Sequence, residues 1–363
     1  MKIAIFVSGS LKNGLDSATP GEGRWGQNLA RMLAERGHEV DCISGHYWDQ
    51  PRWGDAGPLP NVTLSHFPNG EKEYDLALYT PWEHQYPGHD KGWHKCTTIP
   101  LKAKYFVHCT FSWGASIASD HTCYNNNHVL AYPYLQENNQ FPTNKVENPY
   151  PTFALPLPIY KEFAPVNLEK RKNIMWSTKD VFHNDWPEGH HCPRIGLATL
   201  NAIKKLRSKH EFNTHFLSTR FFHKDQSKHA TQMKIPELVN SIPGASVHDL
   251  VARDTLMQWM SESRITTIVS GLLGSFGESI ASGAAPLCYS GHIYRDAAKK
   301  SGILLDVFHA TEEEIYAAME RLYEDDEFYM QYINDCRYEL RHYSYDTSYE
   351  YFKTMCKELE LPL

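Results

Sequence analysis

No stretch of this 363-residue chain approaches the about 20 consecutive apolar residues that a membrane-spanning helix needs, so a membrane span is not expected. Met1 leads straight into the apolar run Lys2-Ile3-Ala4-Ile5-Phe6-Val7, with no leader of the secretory kind. The eight cysteines are scattered without a C-x-x-C pair, which argues against a disulfide framework and for reduced thiols in a cytoplasmic protein. The sequon Asn61-Val62-Thr63 therefore carries little weight. Metal-ligand spacing is also missing: His190, His191 and Cys192 are neighbours that cannot all point at one ion, and no bound metal is expected. The formal net charge of −7 gives no global attraction to nucleic acid. Only the local clusters Lys102/Lys104, Lys204/Lys205/Arg207/Lys209 and Lys224/Lys228 are placed to line a basic groove. Internal repeats and low-complexity tracts are absent.

What is present is an ordinary globular composition, 41% hydrophobic and 22% charged, in a chain too long for one core. The N-terminal half alternates strands and helices. After the first strand and a Gly-rich loop, Trp25, Leu29, Met32 and Leu33 share one face of a helix over about 23–36. Gly37 closes it, and strands follow at 39–44, 76–79, 105–109 and 128–131. Residues 132–165 carry many Pro and Asn and read as a connection between domains. A second series begins with the strand 172–176, continues through a helix over 193–209, the strand 214–217, a helix over 254–261 and a strand at 265–269, and closes with helices at 311–323, 327–343 and 348–359. Such alternation predicts α/β architecture with parallel sheets covered on both faces.

The most informative segment follows the strand at 265–269. Ser270, Gly271, Gly274 and Ser275 are small residues where the chain turns into a helix, with Phe276, Gly277 and Glu278 next. Strand-to-helix turns of this kind present unpaired N–H groups and a positive helix end, which hold phosphate oxygens. Glu278, expected in the first helical turn, has a carboxylate that can reach a sugar hydroxyl. Pro286 is expected to end the helix. A diphosphate cradle with one acid beside it points to a nucleotide-sugar site; the bland alternative is a tight βα turn.

The pattern S-G-x-x-G-S-x-x-E-x-x-A-x-G-x-x-P over 270–286 resembles the donor-binding segment of GT-B glycosyltransferases, with a layout like glycosyltransferase family 4. The opening GEGRWGQNLARMLAERGHEV and the string TFALPLPIYKEFAP resemble the first helix and the interdomain linker of the same enzymes. The resemblance implies two Rossmann-like doubly wound domains facing each other across a cleft. Residues 1–160 would form the acceptor domain, with a C-terminal helix in 345–363 returning to it, and residues 161–344 the donor domain. It also implies that Glu278 binds the ribose and that Gly271, Gly274, Ser275, Phe276 and Gly277 lie along the donor. Gly23 and Arg24 fall where such enzymes bring a glycine loop to the cleft. No D-x-D triplet follows an apolar strand, which disfavours the metal-dependent GT-A alternative. The chain departs from the pattern at Ser270: many retaining members carry a second acid there, eight residues before Glu278. The donor sugar and the stereochemical outcome therefore stay open, although the layout leans toward retention.

A departing nucleoside diphosphate needs cations or amides to neutralise it. Lys179, just after the strand 172–176, is the first candidate by resemblance, Arg24 the second and Arg220 the third; each is otherwise a solvated surface residue. His108, at the carboxyl end of its strand, can bond the transferred sugar or relay a proton, or be one structural histidine among 20. Glu83, His84 and Asp90 lie in the aromatic stretch TPWEHQYPGHDKGWH, which has the character of an acceptor loop. The expected activity is transfer from a nucleotide diphosphate sugar, a UDP-sugar by resemblance, to a glycan or small-molecule hydroxyl, with no cofactor beyond that co-substrate. Open alternatives are a phage-type enzyme acting on a hydroxymethylated DNA base, a nucleotide-sugar epimerase, and a non-catalytic sugar-binding protein.

Overall fold

The computed structural model describes residues 1–7, 11, 15, 21–44, 55–56, 59–65, 71–80, 101–109, 128–132, 151–176, 191–217, 234–248, 251–267, 273–290, 295–306 and 308–363. The chain divides into two compact units, Met1–Lys161 with His342–Leu363, and Glu162–Arg341. Both are parallel α/β structures, each described here by itself.

The first unit is built on an eight-stranded sheet of β1 (Lys2–Val7), β2 (Glu39–Ser44), β3 (Asp55–Ala56), β4 (Val62–Ser65), β5 (Glu73–Tyr79), β6 (Lys102–Cys109), β7 (His128–Tyr132) and β8 (Thr152–Ala154). Their spatial order is β3-β4-β2-β1-β5-β6-β7-β8, and only the short β3 runs antiparallel to its neighbour. Ile3, Ile5, Val40, Cys42, Leu76, Leu78, Val107 and Val129 are fully buried. Strands covered on both faces read as near-continuous apolar runs, which is why β1 and β2 were legible as Ile-Ala-Ile-Phe-Val and Val-Asp-Cys-Ile. The polar exception, Asp41, accepts hydrogen bonds from Lys72 Nζ at 2.7 Å and Tyr74 Oη at 2.6 Å.

Helix α1 (Gly21–Glu35) connects β1 to β2 and buries Trp25, Leu29, Met32 and Leu33. It begins two residues earlier than the apolar spacing indicated. Gly26 lies on the inner side of α1, where a Cβ would sit 2.5 Å from Thr80 Oγ1 and 3.1 Å from Val7 Cγ2. Thr80 in turn donates from both its hydroxyl and its backbone N–H to the Phe6 carbonyl.

The Pro-rich stretch is not all linker. Thr152–Ala154 forms the end strand β8, paired only with β7. Proline is tolerated beside such an end strand, where backbone donors on one side are not needed by the ladder. The C-terminal helix, numbered α9 (Tyr345–Glu358), belongs to this unit and starts three residues before its expected position. Tyr345 N–H donates to the Tyr160 carbonyl, Ile159 N–H donates to the Tyr343 carbonyl, and Arg36 pairs with Asp346 at 2.5 Å. The His38 ring meets Tyr349 and Phe352 and bonds Tyr349 Oη at 3.0 Å.

The second unit has a five-stranded parallel sheet of β9 (Asn173–Trp176), β10 (Thr214–Leu217), β11 (Ala245–His248), β12 (Ser263–Thr267) and β13 (Ala285–Leu287), in the order β11-β10-β9-β12-β13. Helices α2 (His191–Arg207), α3 (Ile235–Asn240), α4 (Arg253–Glu262), α5 (Leu273–Ser282) and α6 (Arg295–Lys300) alternate with these strands, and α7 (Glu312–Glu324) and α8 (Asp326–Leu340) complete the unit. Its core includes Ile174, Met175, Trp176, Phe216, Ile265 and Leu287, all fully buried. Each such side chain contributes about 1.5–3 kcal/mol relative to exposure. Chain order and spatial order reverse between β9 and β12. An open α/β sheet collects ligands outside the carboxyl ends of the strands at that reversal.

Candidate functional site

The site is built on β12, which ends at Thr267, and on α5, which begins at Leu273. Residues 268–272 between them, with Ser270 and Gly271, lie outside the described residues. The helix starts two residues before the expected Ser275. Gly274 and Ser275 therefore occupy the second and third helical positions, where backbone N–H groups have no carbonyl partner inside the helix. Gly274 is thus helical, and its place does not call for a left-handed backbone. Glu278 is the sixth residue, in the second turn instead of the first. The helix is closed by Gly283 at φ +86°, not by Pro286, which belongs to β13. Glycine takes this left-handed conformation without the steric cost that other residues meet.

Phe276, Gly277 and Glu278 are all buried, Glu278 to 1% exposure. A carboxylate so removed from water costs several kcal/mol unless charge or hydrogen bonds compensate. One charge of opposite sign near it is Arg253, whose Nη1 lies 3.9 Å from Glu278 Oε1. The pattern of residues had not singled out Arg253. One signal was there: an arginine at the first position of α4 sits against the positive end of that helix, an unfavourable place unless an acid answers it.

The scaffold behind this pair is rigid. Buried Arg171 donates to the Met260 carbonyl at 3.1 Å, the Ser263 carbonyl at 3.0 Å and the Ser282 carbonyl. It thus ties the carboxyl end of α4 to that of α5. Ser282 Oγ donates back to the Glu278 carbonyl at 2.6 Å, and Tyr329 Oη donates to the Gly283 carbonyl at 2.6 Å.

The remaining candidates are spread over the chain. Lys179 follows β9, the other strand of the reversal, by three residues and lies outside the described residues. So do Arg220, Glu83, His84, Asp90, Lys224 and Lys228. His108 is the last but one residue of β6, in register with Tyr79 of β5. Gly23 and Arg24 are in the first turn of α1, and Arg24 is partly buried. Beside His108's strand, the rings of Phe6 and Tyr79 stack at 4.4 Å with 4° between planes. Among the described residues, no three His, Cys, Asp or Glu converge as a metal site would require, and no helix is long and apolar enough to cross a membrane.

The basic cluster at the carboxyl end of α2 and just beyond it is engaged within its own unit. Lys209 pairs with Glu320 at 2.6 Å, Lys204 donates to Ser241 Oγ at 2.9 Å, and Arg207 donates to the Pro243 and His210 carbonyls. Lys205 lies 4.3 Å from the centre of the Tyr316 ring.

No protein-family model and no curated protein matches this chain. Solved structures do. Sucrose-phosphate synthase from Thermosynechococcus elongatus is 12% identical at TM-score 0.64, over 99% of this chain and 98% of that chain. An α-glucosyltransferase in complex with UDP and a 13-mer DNA containing an HMU base is 13% identical at TM-score 0.59, over 98% of both chains. WaaG, a glycosyltransferase involved in lipopolysaccharide biosynthesis, is 12% identical at TM-score 0.56, over 93% of this chain and 95% of that chain. Likeness at such low identity, over nearly whole chains, establishes architecture: two Rossmann-like α/β units of the GT-B fold.

Proposed function

We propose that this protein is a glycosyltransferase that moves a sugar from a nucleotide diphosphate sugar, a UDP-sugar, to a hydroxyl acceptor. The observation that carries the reading is the buried carboxylate of Glu278 on a helix whose first turn holds Gly274 and Ser275, at the reversal point of the second sheet. The diphosphate would lie on the amides of Gly274 and Ser275, with Gly271 beside them. Glu278 would accept hydrogen bonds from the ribose hydroxyls, and Phe276 and Gly277 would carry the helix wall behind it. Residues 161–344 would thus bind the donor, and residues 1–160 with the C-terminal helix the acceptor.

Charge builds on the departing diphosphate as the glycosidic bond breaks. In this reading the helix amides and Lys179, with Arg24 as a second cation, stabilise it without a metal. His108 would meet the transferred sugar. Retention at the anomeric carbon fits the layout, with Ser270 in place of the second acid. Measuring release of free UDP from UDP-glucose and other UDP-sugars, with and without EDTA, tests the proposal. Release and donor binding are expected to survive EDTA. Absence of any nucleotide binding across UDP, GDP and ADP sugars would overturn it, turnover of donor without acceptor would favour an epimerase, and binding without turnover a sugar-binding protein.

One observation favours a particular acceptor, a hydroxymethylated pyrimidine in DNA. A structure of similar fold over 98% of both chains carries UDP together with DNA containing an HMU base. Transfer of radiolabelled glucose to a duplex with one hydroxymethylated base, but not to the unmodified duplex, is the outcome this second reading requires.

A further inference from the structure

We propose that His215 and His248, converging on the hydroxyl of Ser246 at the outer edge of the second sheet, form a binding site for a late first-row divalent cation, with Zn²⁺ as its type. The site lies on β10 and β11, apart from the residues assigned to the donor, and does not depend on that reading. In the parallel pairing of β10 with β11, His215 stands opposite Ser246 and Leu217 opposite His248. Alternation along each strand then puts His215, Ser246 and His248 on one face of the sheet. His215 Nδ1 is 3.0 Å and His248 Nε2 2.8 Å from Ser246 Oγ, so imidazole nitrogens from two neighbouring strands aim at one point. All three residues are partly exposed, which gives ions in solution access to the cluster.

Hydrogen bonding alone serves this cluster poorly. A hydroxyl has one proton, and Ser246 Oγ meets two ring nitrogens and the Thr214 carbonyl, the last at 3.5 Å. It can donate to only one of the three. A cation takes the lone pairs of both nitrogens at once and leaves the hydroxyl proton for the Thr214 carbonyl. Neutral imidazole, the form that burial favours at both positions, is the metal ligand. Trp259 of α4 supports the rings: its indole stacks on His215 at 4.6 Å with 4° between planes and meets His248 at 4.3 Å. Packed this way, the rings can slide toward the about 2.0–2.1 Å of a metal–nitrogen bond. Glu262, at the end of α4, adds a negative charge that favours a cation beside His215. Two imidazoles and a hydroxyl make an open site completed by water, unlike the closed ligand set of a structural centre. Imidazole ligands select Zn²⁺, Cu²⁺ or Ni²⁺ over Mg²⁺ and Ca²⁺, which take oxygen.

Residue-resolved protection tests this in the intact chain. Diethyl pyrocarbonate acylates a free imidazole nitrogen, and coordination removes the lone pair it attacks. Mapped by mass spectrometry, ZnCl₂ should suppress most modification of both His215 and His248 and spare the exposed His309 from any change, while MgCl₂ should protect none of them. In titration calorimetry the His215→Gln/His248→Gln double variant should bind one Zn²⁺ fewer than wild type. Either single variant should hold that ion more than about 10-fold more weakly, since even an outer partner of a metal ligand is worth that much. Ser246→Ala, which keeps both rings, should retain it. Unchanged modification of His215 and His248 in ZnCl₂ would overturn the proposal, and so would equal Zn²⁺ stoichiometry in wild type and double variant. The protection experiment uses wild type, so it decides the matter even if the double variant does not fold.

Discussion

The carboxyl edges of the two sheets are finished in opposite ways. In the first unit, the ends of β1 and β5 pack against α1: Thr80 donates to the Phe6 carbonyl, Gly26 of α1 lies against Thr80 and Val7, and Tyr79 stacks on Phe6. In the second unit, the reversal between β9 and β12 carries the start of α5, with an acid–arginine pair below the surface. The same winding rule therefore brings a close-packed glycine to one reversal and a buried acid with an arginine near it to the other. Gly26 brings α1 against its strands, where a Cβ would sit 2.5 Å from Thr80 Oγ1.

That contrast is open to breakage by substitution. The largest effect is expected from Gly274→Val. Valine is a better helix former than glycine, so α5 persists, while the branched side chain covers the amides. Loss of UDP binding by more than about 100-fold, roughly 3 kcal/mol, should appear in calorimetry with the melting temperature retained. Glu278→Gln removes the charge but not the shape. It should weaken UDP by about 10- to 150-fold, equivalent to about 1.5–3 kcal/mol, with Ser275→Ala milder because its amide remains.

At the first reversal the effect falls on stability instead. In Gly26→Ala, a Cβ 2.5 Å from Thr80 Oγ1 forces that hydroxyl off the Phe6 carbonyl, at a cost of about 1–3 kcal/mol. The urea midpoint should fall while UDP affinity stays unchanged. An altered UDP affinity would show that the first edge is not merely structural.

The smallest effect concerns pH. Burial, helped by the N-terminal ammonium and Arg36, lowers the His38 imidazole from 6.5 to about 4. The unfolded chain therefore takes up its proton first, so the stability that neutral His38 contributes is complete above about pH 6.5 and is lost as pH falls through 4. His38→Asn should flatten the fall in urea midpoint between pH 6.5 and 4 by on the order of 1–3 kcal/mol. An identical slope in wild type and variant would count against this.

Legibility in the sequence followed physical strength of signal. Fully buried parallel strands such as β1, β2 and β9, and the amphipathic α1, announce themselves by apolar content and spacing. The passage from β12 to α5 was legible because an apolar β-branched run leads directly into small residues and a helical segment. Strand β11 was missed because all four of its residues are only partly buried, and β8 because the prolines that flank it, Pro151 and Pro156, read as linker. The start of α5 was displaced because Leu273 carries no capping chemistry that separates it from the turn. Arg253 offered one weak signal, its place at the start of α4; the acid it approaches is 25 residues away in sequence and meets it only through the packing of α4 on α5.

The central claim is that the second unit receives a nucleoside diphosphate at the start of α5. A crystal structure with UDP bound tests it most directly. The account predicts phosphate oxygens within hydrogen-bonding distance of the Gly274 and Ser275 amides and ribose hydroxyls on the Glu278 carboxylate. UDP bound elsewhere, with the 270–275 turn packed against protein, would contradict it.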